Sequence, residues 1–155
     1  MRICLFPGTF DPLTLGHVDI INRSLPLFDK LVVGIGINSS KKPMFTAEQR
    51  MNWIAEIFKG DNRVYAAEYD GLTIDYCKKI NASFILRGIR YVSDFEYEKT
   101  IADANRAMDP SIETIFLTGE PKYTSVASTI VRDIIRNGGD ARAFLPDVVY
   151  KSLKP

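Results

Sequence analysis

Cysteine, histidine and any excess of one charge sign are all scarce in this chain of 155 residues, and each scarcity excludes something. The two cysteines, Cys4 and Cys77, lie far apart and form no Cys-x-x-Cys pair, so they are expected to be buried free thiols in a reducing compartment. One histidine and no cysteine cluster argue against a zinc site, and no protein-held metal is expected. Lys and Arg number 20 against 19 Asp and Glu, a formal net charge of +1. That lacks the basic excess of a general nucleic-acid binder, so no nucleic-acid partner is expected. Any anion site must therefore be made by local placement of cations. No apolar run approaches the roughly 18 residues of a membrane span, so no membrane partner is expected. The apolar start, Met1 to Phe6, runs straight into Pro7-Gly8 and is too short for a signal peptide. A cytoplasmic protein is the expectation. Internal repeats, low-complexity tracts and Pro/Ser-rich linkers are also missing, which points to a single domain over residues 1–155. No Gly-x-Gly-x-x-Gly follows the first apolar run, which argues against a redox dinucleotide-binding domain.

What remains is an ordinary globular composition, 46% hydrophobic and 25% charged. Short apolar runs at 3–6, 31–37, 64–67, 84–86 and 115–117 suit strands covered on both faces. Between them, helical spacing or capping signals mark 17–27, 46–58, 73–80, 94–107 and 128–136. Thr46 followed by Gln49 reads as a capping box. Asn137-Gly138-Gly139 stops the fifth helix, Asp140 can cap a further short one, and Pro146 starts the last. The alternation predicts an α/β fold: a Rossmann-like, doubly wound, five-stranded parallel sheet with helices on both faces. Ligands in such folds sit beyond the carboxyl ends of the strands, so functional residues should follow Phe6, Ile37, Leu86 and Leu117.

Four of those strand ends carry groups suited to phosphate. After the first come Gly8-Thr9-Phe10-Asp11 and then Thr14-Leu15-Gly16-His17. Gly8 and Gly16 let the backbone approach a ligand closely, and a helix N-terminus there attracts anions, with His17 on its first turn. After the second come Ser40-Lys41-Lys42-Pro43, and after the fourth Arg87-Gly88-Ile89-Arg90, arginine being suited to bidentate phosphate contact. After the fifth, Tyr123-Thr124-Ser125-Val126-Ala127-Ser128-Thr129 is a hydroxyl-rich helix opening. Asp94, Glu96 and Glu98 open another helix, where acidic residues are ordinary dipole partners, and their spacing alone does not make a metal site.

The combination Gly-Thr-Phe-Asp-Pro and Thr-x-Gly-His resembles the nucleotidyltransferase superfamily with a Thr/His-x-Gly-His signature. With Ser-Lys-Lys-Pro-Met-Phe (40–45), Arg-Gly-x-Arg (87–90), Asp-Phe-Glu-Tyr-Glu (94–98) and Phe-Leu-Pro (144–146), nearly the whole chain resembles the phosphopantetheine adenylyltransferase family. The resemblance implies adenylyl transfer from ATP, with Mg²⁺, to 4′-phosphopantetheine. It implies catalytic roles for His17, Lys41, Thr9 and Arg90. ATP would lie against Gly8, Thr9, Phe10, His17, Gly88, Arg90, Tyr97, Glu98, Ser128 and Thr129. The acceptor would lie against Thr9, Lys41, Leu72, Thr73, Arg87 and Asn105. Lys41, Arg87, Arg90, His17 and Mg²⁺ would screen the two anions from each other. A homohexamer and feedback by coenzyme A are implied in the same way. The chain departs from a related Trp-Ser-x-Ile-Ser-Ser-Ser pattern at 123–129, where Ala127 has no side-chain oxygen to give. The residues themselves leave open two other functions: a related transferase acting on nicotinamide mononucleotide or on a sugar or glycerol phosphate, and a nucleotide sensor without catalysis.

Overall fold

A computed structural model describes residues 1–37, 40 and 42–153. Among them, the five apolar runs form the strands β1 (Ile3–Gly8), β2 (Lys30–Gly36), β3 (Val64–Tyr69), β4 (Phe84–Ile89) and β5 (Glu113–Thr118). All pair parallel in one sheet of order β3-β2-β1-β4-β5. The helices are α1 (Leu15–Ser24), α2 (Ala47–Ile57), α3 (Thr73–Ile80), α4 (Val92–Met108), α5 (Ser128–Arg136) and α6 (Asp147–Ser152). One sheet face packs Cys4, Phe6, Leu31, Val33 and Leu86 against Ile20 and Ile21 of α1 and Ile54 of α2. The other packs Leu5, Val32 and Ile85 against Ile74 and Cys77 of α3. Helices thus cover both faces, as the alternation predicts, and both cysteines are buried and free. None of the helices is long and apolar enough to cross a membrane among the described residues.

Several boundaries differ from the predicted ones for identifiable reasons. The α-helix of α1 ends at Ser24 and tightens into a 3₁₀ turn over Leu25–Leu27. Pro26, lacking an N–H, cannot continue it. α4 starts at Val92, because the Asp94 carboxylate accepts the Tyr91 N–H at 3.2 Å and so fixes the first turn earlier. β1 runs on through Pro7-Gly8 and β4 through Arg87-Gly88-Ile89. Their neighbours supply the ladder: Pro7 aligns with Gly34, and Arg87 with Phe116. Pairing partners here override weak local strand propensity.

The capping box at Thr46 forms as predicted: Gln49 N–H donates to Thr46 Oγ1 at 3.1 Å and Thr46 N–H to Gln49 Oε1 at 2.9 Å. Thr46→Ala is expected to lose about 1 kcal/mol of stability, read as a lower urea midpoint with unchanged slope. A third cluster joins Trp53 of α2, Val131 of α5, Val149 of α6 and Leu145 just before α6. This packing holds the start of α5 over the carboxyl ends of the strands.

Candidate active site

β1 and β4 pair only at Cys4–Phe84 and Leu5–Ile85. Beyond that point the two strands part, at the place where the strand order reverses. A crevice opens there, where ligands of open α/β sheets bind. The Pro7 carbonyl, left without a strand partner on this side, accepts Arg87 Nη1 at 2.6 Å. Two adjoining clefts share this wall. The smaller, about 310 Å³, includes Thr14, Gly16, His17, Gly88, Arg90 and Tyr123 in its lining. The larger, about 960 Å³, includes Lys42, Arg50, Thr73, Asn105, Arg132 and Arg136. Gly8, Thr9, Arg87, Glu98, Ser128 and Thr129 line both.

His17 stands in the third position of α1 and completes an unusual capping box. Its Nδ1 accepts the Thr14 N–H at 3.0 Å, while its own N–H donates to Thr14 Oγ1 at 3.4 Å. An Nδ1 that accepts a backbone proton leaves Nε2 as the protonated nitrogen. Burial first, then the positive fields of Arg90 and Arg87, hold the imidazole pKa down at about 4, from an ordinary 6.5. His17 is therefore a neutral N–H donor at pH 7, not one of the screening cations expected from the sequence. A pH dependence of stability follows. Between about 6.5 and 4 the unfolded chain takes up a proton on this residue and the folded chain does not. The contribution is present in full above pH 6.5 and is lost as pH falls toward 4. Urea midpoints from pH 7 to 4.5 should fall more steeply for the native sequence than for His17→Asn.

Arg87 is not a free cation awaiting an acceptor. Its Nε and Nη2 each donate to Glu98 at 2.6 Å, a bidentate pair with side chains 27% and 11% exposed. Glu98, expected to line the nucleotide pocket, also neutralises Arg87 in the wall between the clefts. Arg90 is less committed: Nη1 donates to the Val126 carbonyl at 3.3 Å, and Nε lies 3.4 Å from Asp94. Its cation stays on the smaller cleft.

Gly8 serves packing as well as access, since a Cβ there would meet the Phe10 ring at 2.9 Å. Phe10 is buried, with left-handed backbone (φ 48°), and its ring meets His17 edge to face at 5.0 Å. At the other side of the crevice, Ser128 Oγ donates to the Pro12 carbonyl at 2.9 Å, and Thr129 Oγ1 accepts from Arg132 at 3.3 Å. Ala127, the residue before α5, makes no side-chain cap. The first N–H groups of α5 therefore open onto the clefts, suited to phosphate oxygens.

The remaining expected residues divide. Thr73 and Asn105 line the larger cleft, Gly88 the smaller. Leu72 is 57% exposed and Tyr97 68% exposed, and neither is part of either lining. Tyr97 precedes Glu98 on α4, and a step of one residue turns the next side chain to another face. Lys41 lies outside the described residues; its neighbour Lys42 lines the larger cleft. Arg50, Arg132 and Arg136 reach the site without standing at a strand end, where the sequence motifs gather. A faint signal existed in Ser128, Arg132 and Arg136, four residues apart on one helical face. Arg50 has none.

A parallel sheet opening at its switch point, with neutral and cationic donors facing paired clefts, defines an enzyme of the nucleotidyltransferase class. The chain belongs to the cytidylyltransferase-like family, whose model matches residues 5–134, and within it to the phosphopantetheine adenylyltransferases. A phosphopantetheine adenylyltransferase of Flavobacterium psychrophilum is 54% identical over 149 residues, 96% of this chain and 98% of the relative. One of Phocaeicola vulgatus is 51% identical over 147 residues, covering 95% and 97%. The structure is also similar to a bifunctional NMN adenylyltransferase/ADP ribose pyrophosphatase of Francisella tularensis, with a TM-score of 0.75 at 18% identity. The match covers 98% of this chain and 48% of that one, and it shows the shared fold.

Proposed function

We propose that the chain transfers AMP from ATP to 4′-phosphopantetheine, giving dephospho-coenzyme A and pyrophosphate. One observation carries the reading: two clefts meet at Gly8 and Thr9, with the His17 donor and Arg90 on one side and the larger, cation-lined cleft on the other. Full-length similarity to phosphopantetheine adenylyltransferases supports 4′-phosphopantetheine as the acceptor.

An oxygen of the acceptor phosphate attacks the ATP α-phosphorus, and the bond from that phosphorus to the bridging oxygen of pyrophosphate breaks. The attacking phosphate is already ionised at neutral pH, so no general base is required. The protein's work is to bring two anions into line and to stabilise charge on the α-phosphate. His17 Nε2–H and Arg90 donate there. The α5 N-terminus with Ser128 and Thr129 receives the β- and γ-phosphates. Thr9 faces the transferring group and Thr73 and Asn105 the pantetheine arm; a role for Lys41 beside Thr9 rests on the family resemblance alone.

Among the described residues no group of three or more His, Cys, Asp or Glu is placed to hold a metal ion. Asp94 and Glu98 on the smaller cleft are engaged by Arg90 and Arg87. Mg²⁺ would instead be carried by the phosphates of ATP, where it would supply charge neutralisation for the leaving pyrophosphate. Homohexamer formation, feedback by coenzyme A and cytoplasmic location belong to the same proposal. The exposed Val92, Phe95 and Met108 of α4 offer apolar surface for subunit contact.

Pyrophosphate release, measured with ATP and 4′-phosphopantetheine with and without Mg²⁺, tests the reaction. Turnover with nicotinamide mononucleotide or a sugar phosphate, and none with 4′-phosphopantetheine, overturns it. So does calorimetric ATP binding without pyrophosphate formation from any acceptor.

A further inference from the structure

The backbone of residues 9–11 is gripped from two sides. Arg50, on α2 and 5% exposed, donates from Nη1 to the Thr9 carbonyl at 2.7 Å and from Nε to the Thr46 carbonyl at 3.2 Å. Arg132, on α5, donates from Nη1 to the Asp11 carbonyl at 2.7 Å. The Asp11 carboxylate accepts the Met44 and Phe45 N–H groups at 2.8 and 2.9 Å. Two helices and the 43–45 segment thus converge on three residues.

Between the gripped carbonyls lies Phe10. Left-handed backbone is disfavoured for a residue with a Cβ, and it persists where the surroundings fix both flanks. Arg50 and Arg132 supply that constraint with charge-assisted bonds, the stronger kind. The result is a ring packed against both Phe6 (centroids 5.2 Å) and His17 (5.0 Å), each nearly edge to face. On its far side the imidazole is held by Thr14. His17 is therefore oriented through its own capping box, through the Phe10 ring and, more distantly at 6.5 Å, by Phe6.

We infer that Arg50 and Arg132 are positioning residues for His17: they clamp the carbonyls flanking Phe10 and so hold its ring against the imidazole. Neither needs to touch the reacting atoms for this. Because Asp11 also ties down the 43–45 segment, the same clamp couples the His17 side of the crevice to the loop that carries Lys42. The catalytic consequence rests on the function proposed above; the placement of His17 does not.

The chain's one histidine gives a readout independent of activity. In untagged, ligand-free protein, the His17 ring proton and nitrogen resonances are followed by NMR through a pH titration for the native sequence, Arg50→Gln and Arg132→Gln. The inference expects both variants to displace the ring resonances and to raise the His17 pKa from about 4 toward 6.5, as water reaches a loosened ring. It expects kcat to fall on the order of tenfold or more, with KM for ATP within about twofold, because small misplacements near reacting atoms carry large rate effects. Should Arg50→Gln fail to fold, Arg132→Gln, at a more exposed position, decides alone. Native resonances and a native titration in the folded variants overturn the inference, whatever happens to melting temperature. Displaced resonances with unchanged turnover support the clamp and tell against the catalytic part of His17.

Discussion

His17→Ala should lower kcat on the order of a hundredfold while KM for ATP changes only a few-fold. A preorganised donor aimed at developing charge contributes roughly 3 kcal/mol to the transition state and far less to ground-state binding. The geometry adds a reason for preorganisation. Thr14 fixes the tautomer through Nδ1, and Phe10 fixes the ring plane, so Nε2–H needs no rearrangement when a phosphate arrives. Because burial and two neighbouring arginines hold the pKa at about 4, the ring should already be a neutral donor throughout the physiological range. The pH profile of kcat/KM should accordingly show no acid limb near 6.5 from His17. Steady-state kinetics of wild type and variant with saturating 4′-phosphopantetheine check this. A variant retaining kcat within a few-fold removes His17 from the chemistry.

Arg87→Ala should weaken acceptor binding by roughly thirty- to a hundredfold, and removing the Glu98 charge in the same chain should restore part of the loss. The expectation comes from the pairing. Arg87 and Glu98 neutralise each other in the wall shared by the clefts. Deleting the arginine removes a cation and also leaves a carboxylate facing a phosphate site. Breaking a buried pair costs about 3–5 kcal/mol of folding stability; the part that reaches acceptor binding, a lost cation and an unpaired carboxylate beside the phosphate, is on the order of 2–3 kcal/mol with side chains 27% and 11% exposed. Titration calorimetry on Arg87→Ala, Glu98→Gln and the double variant closes a mutant cycle. Additive losses would mean that the pair does not act as a unit.

Much of the rim could be read from the chain because its motifs lie where strands end, and strands announce themselves as apolar runs. Gly8, Thr9, His17, Gly88, Arg90, Ser128 and Thr129 all reach the crevice. Tyr97 and Leu72 do not line it, since the facing of one residue on a helix or at its cap depends on how that helix packs. Arg50 was silent and Arg132 nearly so, because an arginine inside a helix reads as solvated charge until the helix is placed.

The order of apolar runs and turn signals by itself determined the parallel, doubly wound sheet, the N-terminal cap of α2 and the cluster of phosphate-suited loops. Each of these follows from periodicity and from residue-level preferences acting over a few positions. Only the tertiary structure decided the charge state of His17, the neutralisation of Arg87 by Glu98, and the grip of two distant arginines on residues 9–11. Those depend on burial and on contacts between elements far apart in the chain, which set local dielectric and distance, and no window of sequence contains either.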